Sequence, residues 1–366
     1  MIIDSHVYCF PPLDALAGHR SIADHLKVVQ WGHARHHQPT IRLRDRALGT
    51  RSEALIDPTG DPPWFLADAN FRVDHTHHRV VWTVDGEDYT KHYLPPNLHA
   101  TAFDAGSCIA EMDYAGVDAA LMHVELMLGR DVAYLADCVR RYPMRLRSMA
   151  PVDEWRIATD PDGVIREVTE AIKGFGLHAI KFSIFYAYLL RQDAWDDGIY
   201  RPFWEAVTRL GVPIFLTLPI SSEDRDGYLR EQRILMRWME RYPNVTVSLT
   251  HGFPWRALRE GDGFALPDKI WEPFRNPKLH MEVSLPIRIG DWWDYPYRET
   301  WPAIEQMVNR IGSHRLLWGT DMPFQNRFCT YRQGRQFIEK YLEFLGPHDL
   351  AAIMGGNAAK LLDFSQ

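Results

Sequence analysis

Leu316-Leu317-Trp318-Gly319-Thr320-Asp321-Met322-Pro323 reads as a short apolar strand, Leu316–Gly319, that gives way at once to an acidic residue. The run is too short for a helix, and the glycine and proline around Asp321 stop regular structure. Working outward, the same arrangement recurs along the chain. Strands are expected at Met1–Ser5, Ala119–Val124, Leu146–Pro151, Ala179–Ser183, Pro213–Thr217, Val245–Thr250 and Leu279–Ser284, with Leu316–Gly319 as the eighth. These short, β-rich runs read as strands.

Helical spacing of apolar residues fills the gaps, at Asp131–Tyr142, Val164–Gly174, Phe203–Leu210, Gln232–Arg241 and Ala303–Ile311. Gly174, Gly176 and Gly211 stand where helix stops are expected. Strand–helix alternation requires parallel pairing with crossovers, and a closed (β/α)8 TIM barrel of the α/β class is the economical solution. An open doubly wound sheet is the rival, disfavoured because no Gly-rich fingerprint follows Met1–Ser5. The sequence predicts one barrel over residues 1–366. Residues 9–102 form a long insertion after the first strand, above the catalytic mouth. Within it, Arg79–Val84 and Asp88–Leu94 flank Asp85-Gly86, a hairpin signal near 79–94.

A barrel gathers the C-terminal ends of its strands into one small volume. The first strand leads into His6-Val7-Tyr8, and alternation puts His6 and Tyr8 on one side. The second ends at His123 and Glu125, the fourth carries Lys181, the fifth ends at Thr217, the sixth at His251 and the eighth at Asp321. The seventh includes Glu282 and Ser284. A single histidine after a strand is usually structural, but polar groups on so many strand ends point to a reaction centre.

Several motifs carry a family resemblance. Asp4-Ser5-His6-Val7-Tyr8 is similar to the Asp-x-His-x-His opening of the amidohydrolase superfamily, and Thr250-His251-Gly252 to its strand-six histidine. Trp318-Gly319-Thr320-Asp321-Met322-Pro323 resembles its Gly-x-Asp-x-Pro signature. Gly356-Asn357-Ala358-Ala359-Lys360-Leu361-Leu362 resembles its closing helix, and Met112–Asp118 the approach to strand two. The nearest branch contains aminocarboxymuconate-semialdehyde decarboxylase, γ-resorcylate decarboxylase and related hydrolases. The resemblance implies one divalent metal ion, zinc or manganese, on His6 and Asp321, with no organic cofactor. Tyr8 and Thr217 replace two ligands of that pattern, so a metal-free site stays open beside the metal site. A histidine of the insertion that reached the mouth would restore a ligand, although His33/His36/His37 and His75/His77/His78 read more simply as loop residues. Lys181 reads as a hydrogen-bonding or anion-pairing lysine rather than a carbamylated metal bridge.

The expected activity is hydrolysis of a small carboxylated cyclic or aromatic substrate, a lactone, amide or C–C bond. Asp321 is the expected general base, His251 the carbonyl-polarising group and His6 the third catalytic residue. Tyr8, Lys181, Thr217 and Glu125 are the expected substrate-binding residues. Non-oxidative decarboxylation of an aromatic acid is the alternative reaction, and a metal-free ligand-binding protein without activity is a second one.

Bulk properties exclude other classes. A net charge of -7 without a Lys/Arg run argues against a nucleic-acid partner. Cys9, Cys108, Cys138 and Cys329 are far apart and form no disulfide or zinc-thiolate pattern. The start MIIDSHVYCF is no signal peptide, and no run reaches the ~18 apolar residues of a membrane helix. The expected setting is cytoplasmic, with a homodimer implied by the resemblance alone.

Overall fold

The computed structural model describes residues 1–49, 52–190, 194–218 and 225–364. Eight parallel strands lie side by side in chain order: β1 (Ile3–Val7), β2 (Ala119–Met122), β3 (Leu146–Ala150), β4 (Ala179–Ser183), β5 (Ile214–Thr217), β6 (Val247–Leu249), β7 (Leu279–Val283) and β8 (Leu316–Trp318). The last strand meets the first. The Tyr8 N–H donates to the Met322 carbonyl at 2.7 Å and the Asp321 N–H to the His6 carbonyl at 2.8 Å. The expected α/β barrel is therefore the fold, and its seam runs through three of the expected site residues, His6, Tyr8 and Asp321.

The strands are shorter than their apolar runs where the ladder stops. β1 starts at Ile3, where pairing with Ala119 begins, so His6 lies inside the strand rather than beyond it. At β6, Val245 donates instead to the Tyr242 carbonyl of the preceding turn, which trims the expected Val245–Thr250 to Val247–Leu249. Helices gain residues where a cap operates. The helix expected from Val164 starts at Pro161, because the Asp160 side chain accepts the Gly163 N–H and proline suits the first turn. Arg225–Arg241 is longer than the expected Gln232–Arg241. Phe203–Leu210 divides into an α-helix, Arg201–Val207, and a 3-10 turn that ends at Gly211 with φ +76°.

Two contacts fix the seam. A side chain at Gly319 would place its Cβ 2.9 Å from Ser5 Oγ and 3.0 Å from His6 Cβ, so only glycine lets β8 approach β1 this closely. The Asn357 side chain donates to the carbonyls of Ser313 and Leu316, both at 2.8 Å, and ties the closing helix to the start of β8.

Between β1 and β2 the chain forms a helix, Ile22–Arg35, and a five-stranded antiparallel sheet. The sheet order is Leu48–Gly49, Thr40–Arg42, Glu87–Thr90, Arg79–Val84, Arg72–Asp74. Asp85 and Gly86, with φ of +51° and +76°, make the tight turn that their sequence signals. The second arm of this hairpin is Glu87–Thr90, shorter than the expected Asp88–Leu94. Leu55, Ala69, Trp82 and Tyr89 give this sheet a small core, whereas Val28, Val29 and Trp31 of the helix join the barrel core. All four cysteines are buried and free. Among the described residues no helix is long and apolar enough to cross a membrane.

Candidate active site

His6, Glu282 and Asp321 form a chain of contacts at the top of the barrel. His6 Nδ1 lies 2.9 Å from Glu282 Oε2, and Nε2 lies 3.1 Å from Asp321 Oδ1 and 3.0 Å from the Tyr8 hydroxyl. β7 reads Leu279-His280-Met281-Glu282-Val283, so alternation turns one acid into the interior, where it stays completely buried. An unpaired carboxylate there would be very costly, and Glu282 meets that cost by holding three groups. Besides His6 it accepts the His251 N–H at 2.8 Å and lies 3.2 Å from His123 Nε2. The His123 ring stacks on His6 at 3.5 Å between centroids.

Burial opposes an imidazolium at His6, but the carboxylates of Glu282 and Asp321 outweigh it and hold its pKa up at about 9. Burial likewise works against ionised Glu282 and Asp321. The neighbouring imidazoles, His6 foremost, nonetheless keep both well below the usual carboxylate range. His123 is pushed down to about 3 by burial, then by His6 and Lys181. Burial also drives His251 well below its ordinary value.

The backbone presents the outer pair. His251 and Asp321 have φ of +65° and +67°, a left-handed conformation that few residues other than glycine adopt. Gly252 follows at φ +80°, and the Trp255 indole N–H donates to the His251 carbonyl at 3.0 Å. The Asp4 carboxylate accepts the backbone N–H groups of His6 at 2.9 Å and Thr320 at 3.1 Å, so it braces both sides of the seam. His251 and Asp321 each keep 8% exposure, whereas His6 has none.

That exposure opens on a cavity of about 690 Å³, within the range of small-molecule sites. Tyr8, Glu125, Lys181, Thr217, His251 and Asp321 all line it, and His6 lies one layer beneath. The Lys181 Nζ is 3.3 Å from His123 Nδ1 and donates to Thr250 Oγ1 at 3.3 Å. Glu125 accepts the Tyr186 hydroxyl. Thr217 Oγ1 is buried and without a partner among the described residues.

Sequence reasoning noted Glu282 on the seventh strand but gave it no role, although a buried acid among apolar strand residues was a usable signal. It also left out the cavity's cations Arg35, Arg256, Arg288 and Arg327 and its aromatic walls Trp31, Tyr93 and Phe185. The insertion does send histidines to the mouth, since His36 and His37 line the cavity. Neither belongs to the donor cluster. His33 is buried against the Val29 carbonyl, and His75 and His77 pair with Asp14 and Asp74 on the exterior. Among the described residues the group suited to a metal ion is His6, His251 and Glu282, whose ligand atoms lie within 4.8 Å of one another. Nitrogen and carboxylate donors at this spacing suit one divalent ion such as zinc or manganese. Asp321 adjoins this group through His6, and Glu282 brings a carboxylate donor beyond the expected His6/Asp321 pair.

The chain is 25% identical over 229 residues to γ-resorcylate decarboxylase of Polaromonas sp. strain JS666, a match that covers 53% of this chain and 64% of that protein. The fold is shared with a dihydroxybenzoic acid decarboxylase from Polaromonas sp. JS666, solved with bound manganese and 2-nitroresorcinol. That structure has a TM-score of 0.54 and 20% identity, covering 75% of this chain and 92% of the other. It is shared as well with a probable 2-pyrone-4,6-dicarboxylic acid hydrolase from Acinetobacter baumannii, solved with citric acid. Here the TM-score is 0.53 and the identity 18%, covering 80% and 96% of the two chains. The amidohydrolase family model matches residues 73–364, all eight strands but the first included, and the chain belongs to the amidohydrolase family.

Proposed function

We propose that this enzyme hydrolyses a small carboxylated cyclic or aromatic compound by acid–base chemistry, with Asp321 and His251 as the reacting pair. The observation that carries the reading is their shared placement. Both occupy left-handed backbone at strand ends, and both open on the same aromatic-walled cavity while nearly all of each stays buried.

The Asp321 carboxylate takes the proton of an attacking water, and His251 donates a hydrogen bond to the oxyanion that develops on the carbonyl. The His251 Nδ1 is turned to Ser284 Oγ at 3.5 Å, which leaves Nε2 for the substrate. His6 is a positioning residue that holds Asp321 from below. Lys181 and the unpartnered hydroxyl of Thr217 receive the substrate carboxylate. The donor set fits one divalent ion on His6, His251 and Glu282, with Asp321 beside it. Such an ion, when bound, lowers the pKa of a coordinated water and polarises a carbonyl.

The likeness to γ-resorcylate decarboxylase supports a second reaction in the same cavity. There the ring carbon keeps the electron pair of the broken C–C bond, takes a proton from Asp321 or His251, and carbon dioxide leaves. Incubation of the enzyme with lactones and aromatic acids in ¹⁸O-water separates the two. Hydrolysis puts the label into the product without gas. Carbon dioxide release with an unlabelled product overturns the hydrolytic reading.

A further inference from the structure

Five cations line the cavity, Arg35, Lys181, Arg256, Arg288 and Arg327, against the two carboxylates Glu125 and Asp321. Among the described residues only Arg256 of these five has an ion-pair partner, Asp291. Asp321 is engaged by His6, and Glu125 by Tyr186. Arg327 is held by neutral acceptors only. Its Nε donates to the Phe324 carbonyl at 3.2 Å, and one terminal nitrogen lies 3.4 Å from both the His92 carbonyl and His36 Nε2. Burial keeps that imidazole neutral. The Arg288 guanidinium makes no hydrogen bond or ion pair with another described residue, although its backbone N–H donates to the Leu285 carbonyl at 2.7 Å. Two guanidinium groups thus share one wall and repel each other, and the Asp321 carboxylate, with Asp291 for Arg327, offsets their charge only from beyond ion-pair distance. Removing a charge from water without a partner is costly, so the arrangement favours an arriving anion.

Lys181 is a third cation outside any ion pair among the described residues, at a different depth, with Glu282, Glu125 and Asp321 acting on it from farther off. It is 4% exposed at the barrel end, whereas Arg288 and Arg327 are half-buried on the turns that follow β7 and β8. We propose that the cavity selects a flat ring bearing two carboxylates, one held deep by Lys181 and the other gripped nearer the rim by Arg288 and Arg327. The proposal rests on the reading of this cavity as the substrate site. A guanidinium offers paired N–H donors that match a carboxylate, which a single ammonium does not. Trp31, Tyr93, Phe185, Tyr186 and Phe324 supply ring faces and edges for the flat body between the two ends. Trp31 and Tyr93 come from the segment between β1 and β2, so the insertion contributes directly to the choice of substrate.

The test is titration calorimetry of the intact protein with benzoate and with benzene-1,3-dicarboxylate at low ionic strength. The dicarboxylate binds about tenfold tighter or better. Arg288→Gln and Arg327→Gln remove most of that preference and leave benzoate binding within about twofold, while Lys181→Met weakens both ligands. Arg327→Lys keeps the charge without the fork and gives an intermediate preference, which covers the case in which a glutamine variant does not fold. Equal affinity for the two acids, or equal loss of both in the arginine variants, overturns the proposal. Binding is read without turnover. A dicarboxylate preference in a protein whose Asp321→Asn variant turns over normally defeats the reacting pair and leaves this inference standing. Asp321-dependent turnover without the preference does the reverse.

Discussion

The backbone N–H of His251 donates to the Glu282 carboxylate at 2.8 Å, so the imidazole at the end of β6 hangs from an acid on β7. The same oxygen meets the His6 ring at 2.9 Å. Glu282→Gln leaves a buried cation half-compensated and costs about 3–5 kcal/mol, visible as a lower denaturant midpoint with the slope unchanged. It also displaces both imidazoles, so kcat falls more than KM changes. An unaltered midpoint means that Glu282 does not hold these groups.

Asp321→Asn keeps the shape of the side chain and removes its ability to take a proton. Turnover drops about 100- to 10,000-fold on whichever substrate the screen identifies, while substrate binding persists. Undiminished turnover takes Asp321 out of the chemistry.

Glu154 is buried beside Lys181 and accepts the Ser183 N–H at 2.6 Å. Burial outweighs that bond and pushes its pKa up from 4.5 to about 8. The folded protein therefore holds a proton that the unfolded chain releases. The resulting contribution is fully present below pH 4.5 and is lost as the pH rises to about 8, on the order of a few kcal/mol in all. Glu154→Gln removes this slope, so the variant gains on the parent steadily across that window. Unfolding curves at about pH 5, 6.5 and 8, spread across the window, measure it. A constant difference between the two proteins refutes the assignment.

Manganese added at about 100 times its dissociation constant stabilises the protein by about 2.7 kcal/mol if it binds only the folded chain. The melting temperature of the parent rises accordingly, and His251→Ala abolishes the rise. An equal shift in both proteins places the ion elsewhere.

The barrel was legible because short apolar-rich runs alternate with stretches of helical spacing, as at Ala179–Ser183, whose bounds match what the sequence suggested. Strand ends carried most of the site for the same reason, since alternation alone sets His6 beside Tyr8. Other parts had no periodic signature. Arg288 and Arg327 sit on turns of four residues, too short for any face to repeat. Thr40–Arg42 and Leu48–Gly49 are three and two residues long, so only the hairpin turning at Asp85-Gly86 announced the sheet. Glu282 was visible, but its three partners lie on other strands, and only the closed barrel brings them together.

Because His6 belongs to the first strand of the barrel and Asp321 follows the last, the two halves of the proposed reaction centre are made at opposite ends of the barrel. No partly made chain can assemble it, however well its earlier strands pair. Zipping the first and last strands together is thus the event that both closes the barrel and assembles the proposed pair, and a change that loosens this join is expected to lower turnover.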